Sequence, residues 1–146
     1  MWLGDLGAWA ATIGHALKPG GVFYMADVHP LLQAFDDEAE SGDQPPPITY
    51  GYFSGSEPTG FDTANDYADE NAVLRTTQTY EWFHSLGKII TSLSAVGLRI
   101  EFLHEHKILA WRGVKGLVKQ DEHFYGLPDS RPRIPLSFSL RAVKEG

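Results

Sequence analysis

The stretch that decides the fold is Leu17-Lys18-Pro19-Gly20-Gly21-Val22-Phe23-Tyr24-Met25-Ala26-Asp27-Val28, in which a helix stop is followed at once by an apolar run. A basic residue, a proline and two glycines are typical of a helix C-terminus, because proline cannot continue a helix and glycine accepts a left-handed turn. The apolar run is nearly continuous, which predicts a strand covered on both faces, as in a parallel sheet. The stretch therefore predicts an α/β fold.

Apolar periodicity extends this prediction along the chain. Side chains recur at steps of three and four after Asp5 and again after Ser85, and both residues are plausible helix N-caps. Alternating or Thr-, Val- and aromatic-rich segments predict further strands, and a short helix is expected to begin at Pro30. The predicted elements are helices over 5–17 and 86–96 and strands over 22–28, 73–82, 98–106 and 134–143.

The composition is that of an ordinary globular domain. The chain has 146 residues, 42% of them hydrophobic and 21% charged, which predicts a single domain over 1–146. It contains no cysteine and neither a signal peptide nor an apolar run of about 18 residues, so a cytoplasmic protein without a membrane partner is expected. A formal net charge of −7 disfavours binding to nucleic acid.

The acidity is concentrated in one part of the chain. Of the 19 acidic residues, 11 lie between Pro19 and Leu74, where Lys and Arg do not occur. Residues 36–72 are rich in Gly, Pro, Ser and Asp and are predicted to form a long acidic insertion, rich in loops, outside the core. A solvated loop is one interpretation and a cation site is the other, although the spacing lacks the pattern of a calcium loop.

Nine blocks of residues follow one another in a characteristic order. They are Trp2-Leu3-x-Asp5-Leu6-x-x-Trp9-Ala10, Leu17-Lys18-Pro19-Gly20-Gly21, His29-Pro30, Thr79-Tyr80-Glu81-Trp82, His84-Ser85-Leu86-Gly87, Gly97-Leu98, Phe102-Leu103-His104-Glu105-His106, Trp111-Arg112 and Pro135-Leu136-x-Phe138-Ser139-Leu140. This series resembles the C-terminal half of a class I S-adenosylmethionine-dependent methyltransferase of the small-molecule type. The resemblance implies a partial Rossmann-like fold with a small mixed sheet, in which strands 22–28, 134–143 and 98–106 are neighbours in that spatial order and 134–143 is antiparallel.

The chain departs from this family where the methyl donor is bound. Members hold S-adenosylmethionine through a glycine-rich turn after the first strand and an acidic residue after the second, and neither is found here. The resemblance therefore implies a truncated methyltransferase-like protein, which acts on a small molecule only if a missing N-terminal half completes it. Without a neighbouring fourth strand, the edge of strand 22–28 is open. The alternative is a non-catalytic homodimer that pairs through this edge and binds a ligand or partner.

The resemblance also suggests site residues. It implies that Trp2 and Leu3 lie beside the cofactor and that residues near His29 face the methyl acceptor. Asp27 and His29 end a strand at the edge where α/β folds place ligands, and His29 is a candidate general base. The alternative is that His29 caps the turn before Pro30.

Aromatic residues provide candidates for an acceptor pocket. Tyr50, Tyr80 and Trp82 would suit a flat or apolar acceptor, together with Tyr52 and Phe53, although such residues also fill ordinary cores. His84 is predicted to bind substrate with them. A second interpretation joins His84 or His123 to the imidazoles of His104 and His106 as metal ligands, but no spacing fixes a third ligand, and no metal site is predicted.

Overall fold

The structure is a computed structural model that describes residues 3–36, 46–53, 57–62 and 76–146, and the predicted cofactor residue Trp2 lies outside these ranges. The described chain begins with a helix and a strand, continues through a short 3-10 helix, and ends on a long strand. In chain order the elements are α1 Leu6–Ala16, β1 Val22–Val28, a 3-10 helix Pro30–Ala34, β2 Thr59–Asp62, β3 Gln78–Glu81, α2 Leu86–Ala95, β4 Leu98–His106, β5 Ile108–Leu109, β6 Val118–Lys119, β7 Tyr125–Gly126 and β8 Ser137–Lys144.

Both predicted helices are confirmed, with the caps that the sequence indicated. Asp5 accepts a hydrogen bond from the Ala8 amide at 3.0 Å, and Ser85 accepts one from the Lys88 amide at 3.3 Å. After α2 the backbone turns at Gly97, whose φ of 79° is a left-handed conformation that favours glycine. These local signals fix where each helix begins and ends.

The main sheet has three strands in the order β1-β8-β4, and β8 is antiparallel to both neighbours. Leu140 lies at its centre, paired with Met25 on one side and Leu103 on the other. This is the spatial order that the resemblance implied. The expectation of a mixed sheet is wrong, because β8 separates β1 from β4 and every strand pair in the described residues is antiparallel.

The main core lies on one face of this sheet. The side chains of Phe138, Leu140 and Ala142 point from β8 toward α1 and α2, where they meet Leu6 and Leu93. The side chains of β1 that point to the other face of the sheet stay exposed, and Tyr24 is 59% accessible. The prediction that β1 is covered on both faces is therefore wrong, since both described helices pack on the same side.

A second core forms beside the end of β1, in a region that the sequence did not predict. Strands β5, β7 and β6 make a small antiparallel sheet. Leu109 and Leu117 from this region pack with Leu32 of the 3-10 helix and with Leu136, which precedes β8. The predicted last strand starts later than expected, at Ser137, so its proline lies outside the ladder.

The predicted insertion 36–72 is described in part. Its short strand β2 pairs antiparallel with β3, and Ile48 forms an isolated bridge with Phe35. The predicted strand over 73–82 is present as β3, and residues 73–75 lie outside the described ranges. The described parts of the insertion therefore lie beside the carboxyl end of β1. Within the described ranges, the helices are all too short or too polar to cross a membrane.

Candidate functional site

A cavity of about 450 Å³ opens where β1 ends. It is enclosed by the end of the main sheet, the 3-10 helix, the β2–β3 pair and the segment that follows β5. Its volume falls within the range of about 300–1,000 Å³ that is typical of small-molecule sites. The residues that line it include Asp27, Val28, Gln33, Phe35, Tyr50, Phe61, Thr79, Glu81, Phe83, His84, Ile89, Leu109, Trp111, Val114 and Phe138.

Three aromatic rings form one wall of this cavity. The Tyr50 ring lies edge-on to Phe61 and to Phe83, with centroid separations of 5.6 and 5.7 Å. Phe61 and Phe83 are themselves 6.1 Å apart. Mutual edge-to-face contacts hold aromatic rings in fixed orientations. The wall therefore presents a preformed apolar surface to a flat ligand.

Side chains alternate between the two faces of an extended chain. This alternation decides which residues of β3, and of the segment that follows it, face the cavity. Thr79, Glu81 and Phe83 line it, whereas Tyr80 and Trp82 do not. Tyr80 is 50% exposed. The Trp82 indole packs against Gly4, where a Cβ would lie 2.9 Å from the ring. Tyr80 and Trp82 were predicted to bind substrate, but the alternation of the strand turns both of them away from the cavity.

The other predicted aromatic residues also differ in whether they line the cavity. Tyr50 lies in the cavity wall as proposed. The Tyr52 hydroxyl accepts a hydrogen bond from the Leu86 amide at 3.2 Å, which supports the first turn of α2. Phe53 is 83% exposed. Of the five predicted aromatics, Tyr50 is the one that the cavity includes.

His84 combines burial with an unusual hydrogen-bonding state. Its side chain is buried, with 2% of the residue accessible, and its Nε2 lies 2.6 Å from the carbonyl oxygen of Leu3. A carbonyl can only accept, so Nε2 carries the hydrogen and Nδ1 of the neutral ring holds a lone pair. Within the part of the chain that the structure describes, Nδ1 has no hydrogen-bond partner. His84 thus holds a buried, unsatisfied acceptor atom and is itself one of the residues that line the cavity.

His29 serves as the cap of the 3-10 helix. Its Nδ1 accepts from the Leu31 amide at 3.1 Å, and its ring packs edge-on against Phe138. Phe138 lines the cavity and His29 does not, so His29 lies behind the cavity wall. The capping alternative describes this geometry, and the role of general base stays a prediction without a contact to support it.

The second nitrogen of His29 faces Glu105. The Nε2 and Oε1 atoms are 3.0 Å apart, a distance that allows an ion pair, although the atoms are not aligned as a hydrogen bond. Burial lowers the pKa of His29 below its ordinary value, and the neighbouring carboxylate of Glu105 partly opposes this shift. The ring therefore favours its neutral form, in which Nδ1 can accept from the backbone.

Two carboxylate residues line the cavity. Among the described residues that line it, Asp27 and Glu81 carry carboxylates and none is Lys or Arg. The Asp27 carboxylate accepts from the adjacent Val28 amide at 2.7 Å and is otherwise exposed. The exposed Asp27 carboxylate favours neutral or cationic groups of a ligand beside it.

The described residues do not compose a cofactor site by themselves. Leu3 is 46% exposed, and its carbonyl is engaged by His84. A glycine-rich turn leading from a strand into a helix is absent from residues 3–36, 46–53, 57–62 and 76–146. The predicted binding of S-adenosylmethionine by Leu3 therefore has no complete set of partners in these residues.

The histidines of the alternative metal interpretation do not form a cluster within the described residues. His104 stacks on Phe102 with a centroid separation of 4.5 Å, and His106 contacts the Ser139 hydroxyl at 2.9 Å on the open face of the sheet. Both are distant in the fold from His84, which lines the cavity. No group of three or more His, Asp or Glu side chains suited to a metal ion occurs in the described portion of the chain.

Comparison with known proteins places the fold. No family model matches the sequence, and no curated protein matches it. A solved structure from Listeria monocytogenes, given as a candidate S-adenosylmethionine-dependent methyltransferase, aligns over 99% of this chain at 14% identity with a TM-score of 0.54. The S-adenosylmethionine-dependent methyltransferase from Mesorhizobium loti aligns over 98% of this chain at 14% identity with a TM-score of 0.44.

The similarity to the Listeria monocytogenes structure shows that this chain has an α/β fold like that of part of that protein. The chain spans 57% of the length of each of the two solved proteins. At such low identity the similarity shows the architecture alone, and activity has to be argued from the cavity.

Proposed function

We propose that this chain is the acceptor-binding part of a class I S-adenosylmethionine-dependent methyltransferase that acts on a small molecule. In this proposal the Rossmann-like sheet and the methyl-donor site are completed by an N-terminal half that carries the glycine-rich turn. The chain described here contributes the cavity at the carboxyl end of β1, which receives the molecule to be methylated.

The observation that carries the proposal is the position and chemistry of that cavity. In open α/β sheets, ligands bind outside the carboxyl ends of the strands, and this cavity lies at the carboxyl end of β1. Its aromatic wall supplies an apolar surface and polar residues such as Asp27 and Gln33 also line it, which is the usual composition of a small-molecule site. The fold similarity to solved methyltransferases supports the same assignment.

Calorimetric titration with S-adenosylmethionine tests whether the methyl-donor site belongs to a separate N-terminal half. We expect no tight binding by this chain alone, and binding after it is joined to a half that contains the glycine-rich turn. Reading the DNA immediately upstream for an in-frame strand, glycine turn and helix identifies that half. Tight binding of S-adenosylmethionine by this chain alone would contradict the proposal that a separate half binds the methyl donor.

Methyl transfer tests the completed protein. Radiolabelled S-adenosylmethionine is incubated with a panel of aromatic hydroxyl and amine compounds, and transfer of label to at least one of them is expected. The matched control replaces Trp111, which lines the cavity, with alanine in the same assembly. Absence of transfer to every compound, by an assembly that binds the methyl donor, would refute the proposal.

A second candidate function is favoured by the open edge of the sheet. Strand β1 pairs with β8 on one side, and no strand of the described residues covers its other side. Val22 and Tyr24 on the same strand are 46% and 59% exposed. Unpaired edge strands are sites of pairing with another chain. A homodimer that joins two copies of β1 would pair the backbone groups of this edge. Such a homodimer would bind a ligand without methylating it.

Sedimentation or light scattering at micromolar concentration tests the homodimer. A dimer is expected from the wild-type chain and a monomer from Tyr24→Lys, because a charge on an edge strand opposes strand pairing. Val118→Lys is the control, since Val118 is 43% exposed and lies on a different sheet. A monomeric wild-type chain would rule out the dimer.

A further inference from the structure

We infer that Asp27 selects a cationic amine on the ligand of the 450 Å³ cavity, and that the cavity therefore takes arylalkylamines. The inference deepens the proposed function and rests on it, because it names the chemical class of the methyl acceptor. An exposed carboxylate and a wall of aromatic rings support it, together with the absence of Lys and Arg from the described residues that line the cavity.

Asp27 lies where the main sheet meets the cavity. It is the next-to-last residue of β1 and pairs with Phe138 of β8, which also lines the cavity. Phe23 and Met25, which precede it at steps of two, pack against the main core. Because side chains alternate along a strand, Asp27 continues this apolar row and ends it with a carboxylate. The row thus changes from apolar to charged at the point where the cavity opens.

The Asp27 carboxylate is accessible to a ligand. The residue is exposed, and its Oδ1 accepts a hydrogen bond from the Val28 amide at 2.7 Å. An ionised carboxylate has about four acceptor positions, so this bond leaves room for N–H donors of a ligand. Asp27 takes part in none of the ion pairs between described residues. Glu81 also lines the cavity but already has an interaction within the protein, and no ligand contact is assigned to it.

A carboxylate in this position distinguishes ligands by their charge. It attracts a protonated amine, which also brings several N–H donors, and it repels a ligand carboxylate. Water screens an exposed charge, so the attraction is expected to change affinity by about 3- to 5-fold. The effect is modest in size but specific in sign, because it favours cations over neutral compounds and neutral compounds over anions.

The aromatic wall determines the rest of the ligand. Tyr50, Phe61 and Phe83 contact one another through their rings, and they present an apolar surface that suits an aromatic ring. A ligand that uses both features has a ring against this wall and a cationic amine beside Asp27. Arylalkylamines combine the two groups in one small molecule.

Calorimetry on the full chain tests the inference with three probes that share a phenylethyl group. Phenethylamine is cationic, 2-phenylethanol is neutral and 3-phenylpropionate is anionic. We expect phenethylamine to bind about 3- to 5-fold more tightly than the alcohol, and the carboxylate to bind most weakly. Ethylamine, which lacks the ring, should bind at least about 10-fold more weakly than phenethylamine because it leaves the aromatic wall uncovered.

Asp27→Asn removes the charge and keeps an oxygen that can accept from the Val28 amide. In this variant phenethylamine and 2-phenylethanol should bind equally within about 1.5-fold, and 3-phenylpropionate should bind more tightly than it does to the wild-type chain. Asp27→Glu keeps the charge and should retain part of the preference. A purely structural role of Asp27 would instead change the affinity for all three aromatic probes alike.

Asp62→Asn is the matched control. Asp62 is exposed at the end of β2, directly after cavity-lining Phe61, but it does not line the cavity itself. The substitution changes the net charge by the same amount as Asp27→Asn. It should leave the ranking of the three probes unchanged, because the attraction is assigned to a carboxylate beside the ligand.

Ionic strength gives a readout that a structural role would not move. Raising the salt concentration from about 0.01 M to about 1 M shortens the screening length from about 30 Å to about 3 Å. The preference of the wild-type chain for phenethylamine over 2-phenylethanol should shrink accordingly, and that of Asp27→Asn should stay the same. Equal binding of the three aromatic probes to the wild-type chain, an unchanged preference in Asp27→Asn, a preference that salt does not reduce, or no binding of any probe would each overturn the inference.

Failure of this inference can be distinguished from failure of the proposed function. The binding measurements need no S-adenosylmethionine. If the completed protein transfers no methyl group but still ranks the probes by charge, the proposed function fails and recognition by Asp27 stands. If it transfers methyl groups but binds the three aromatic probes equally, recognition by Asp27 fails and the proposed function stands.

Discussion

Nε2 of His84 donates a hydrogen bond to the carbonyl oxygen of Leu3, over 2.6 Å and across 81 positions of sequence. The bond joins the segment that precedes α1 to the segment that precedes α2. The opposite nitrogen of the ring, Nδ1, is buried and has no hydrogen-bond partner among the described residues. The chain end next to α1 and the state of the candidate binding site are therefore linked through one side chain.

The closest approach of the two helices is expected to depend on Gly14. A Cβ at this buried glycine of α1 would lie 3.2 Å from the Val96 side chain and 3.3 Å from its carbonyl oxygen. Gly14→Leu should lower the free energy of unfolding by about 1–3 kcal/mol, because added side-chain atoms overpack the contact although leucine favours helices. Chemical denaturation measures the change. Gly87→Ala is the control: nothing lies within 4 Å of that position, so it should raise stability by up to about 1 kcal/mol. Equal effects of the two substitutions would contradict the close approach.

The centre of the main sheet is expected to be the most sensitive part of the core. Leu140 is fully buried on β8 between the two outer strands. Leu140→Ala should cost about 2–5 kcal/mol of unfolding free energy, through lost burial and the cavity that remains. Val22→Ala, at a 46% exposed position of the same sheet, should cost less than about 1 kcal/mol. Urea titrations of both variants check this order, and a comparable loss at Val22 would show that the open face is covered.

His29 is expected to make stability depend on pH. Burial holds its folded-state pKa below the ordinary value of 6.5, and Glu105 opposes the shift in part. Below that ordinary value the unfolded chain binds the proton more readily, so stability present above pH 6.5 is lost as pH falls toward the lowered pKa. Thermal unfolding between about pH 5 and about pH 8 measures this slope.

His29→Asn is the matched variant for this measurement. Asparagine keeps an N-cap side chain for the 3-10 helix but does not titrate, so the slope below pH 6.5 should become shallower. Glu105→Gln should steepen it, because the group that opposes the lowered pKa is removed. A slope that neither substitution changes would show that other groups control acid sensitivity.

Two half-exposed aromatics offer a test of where ligands bind. Trp111 is 53% exposed and lines the cavity, whereas Tyr80 is 50% exposed and does not. Trp111→Ala should weaken binding of the aromatic compounds in the acceptor panel about 10-fold, since a wall of the site is lost, while Tyr80→Ala should leave it within about 2-fold. Both variants should unfold close to the wild-type chain because neither side chain is buried. A larger effect at Tyr80 would show that ligands bind on the opposite face of β3.

Local signals predicted much of the fold. Asp5, Ser85 and Gly97 mark helix ends through backbone hydrogen bonds and turn geometry that involve neighbours in sequence. Strand β1 has the bounds that its apolar run predicts. The errors concern long-range arrangement: whether a face of β1 is covered depends on where α1 and α2 pack.

The site was predicted less completely for a related reason. Asp27, Tyr50 and His84 line the cavity, while Tyr80, Trp82 and His29 lie elsewhere. Aromatic character identifies residues that are suited to packing, but it does not show where each side chain points. Side chains alternate between the two faces of a strand, and the sequence does not show which of these faces is turned toward the cavity. Phe61, Phe83 and Trp111 line the cavity but were not among the predicted site residues. The alternation of Thr79, Glu81 and Phe83 was the signal that could have found part of this set.

By itself, the sequence determined the helices, the main strands and the turns between them, because caps, glycine turns and apolar periods act over a few residues. Only the tertiary structure decided that one face of the main sheet stays open in the described residues and that His84 meets Leu3. Those features are contacts between distant segments, and their free energy depends on burial and hydrogen bonding that exist only once the segments have packed.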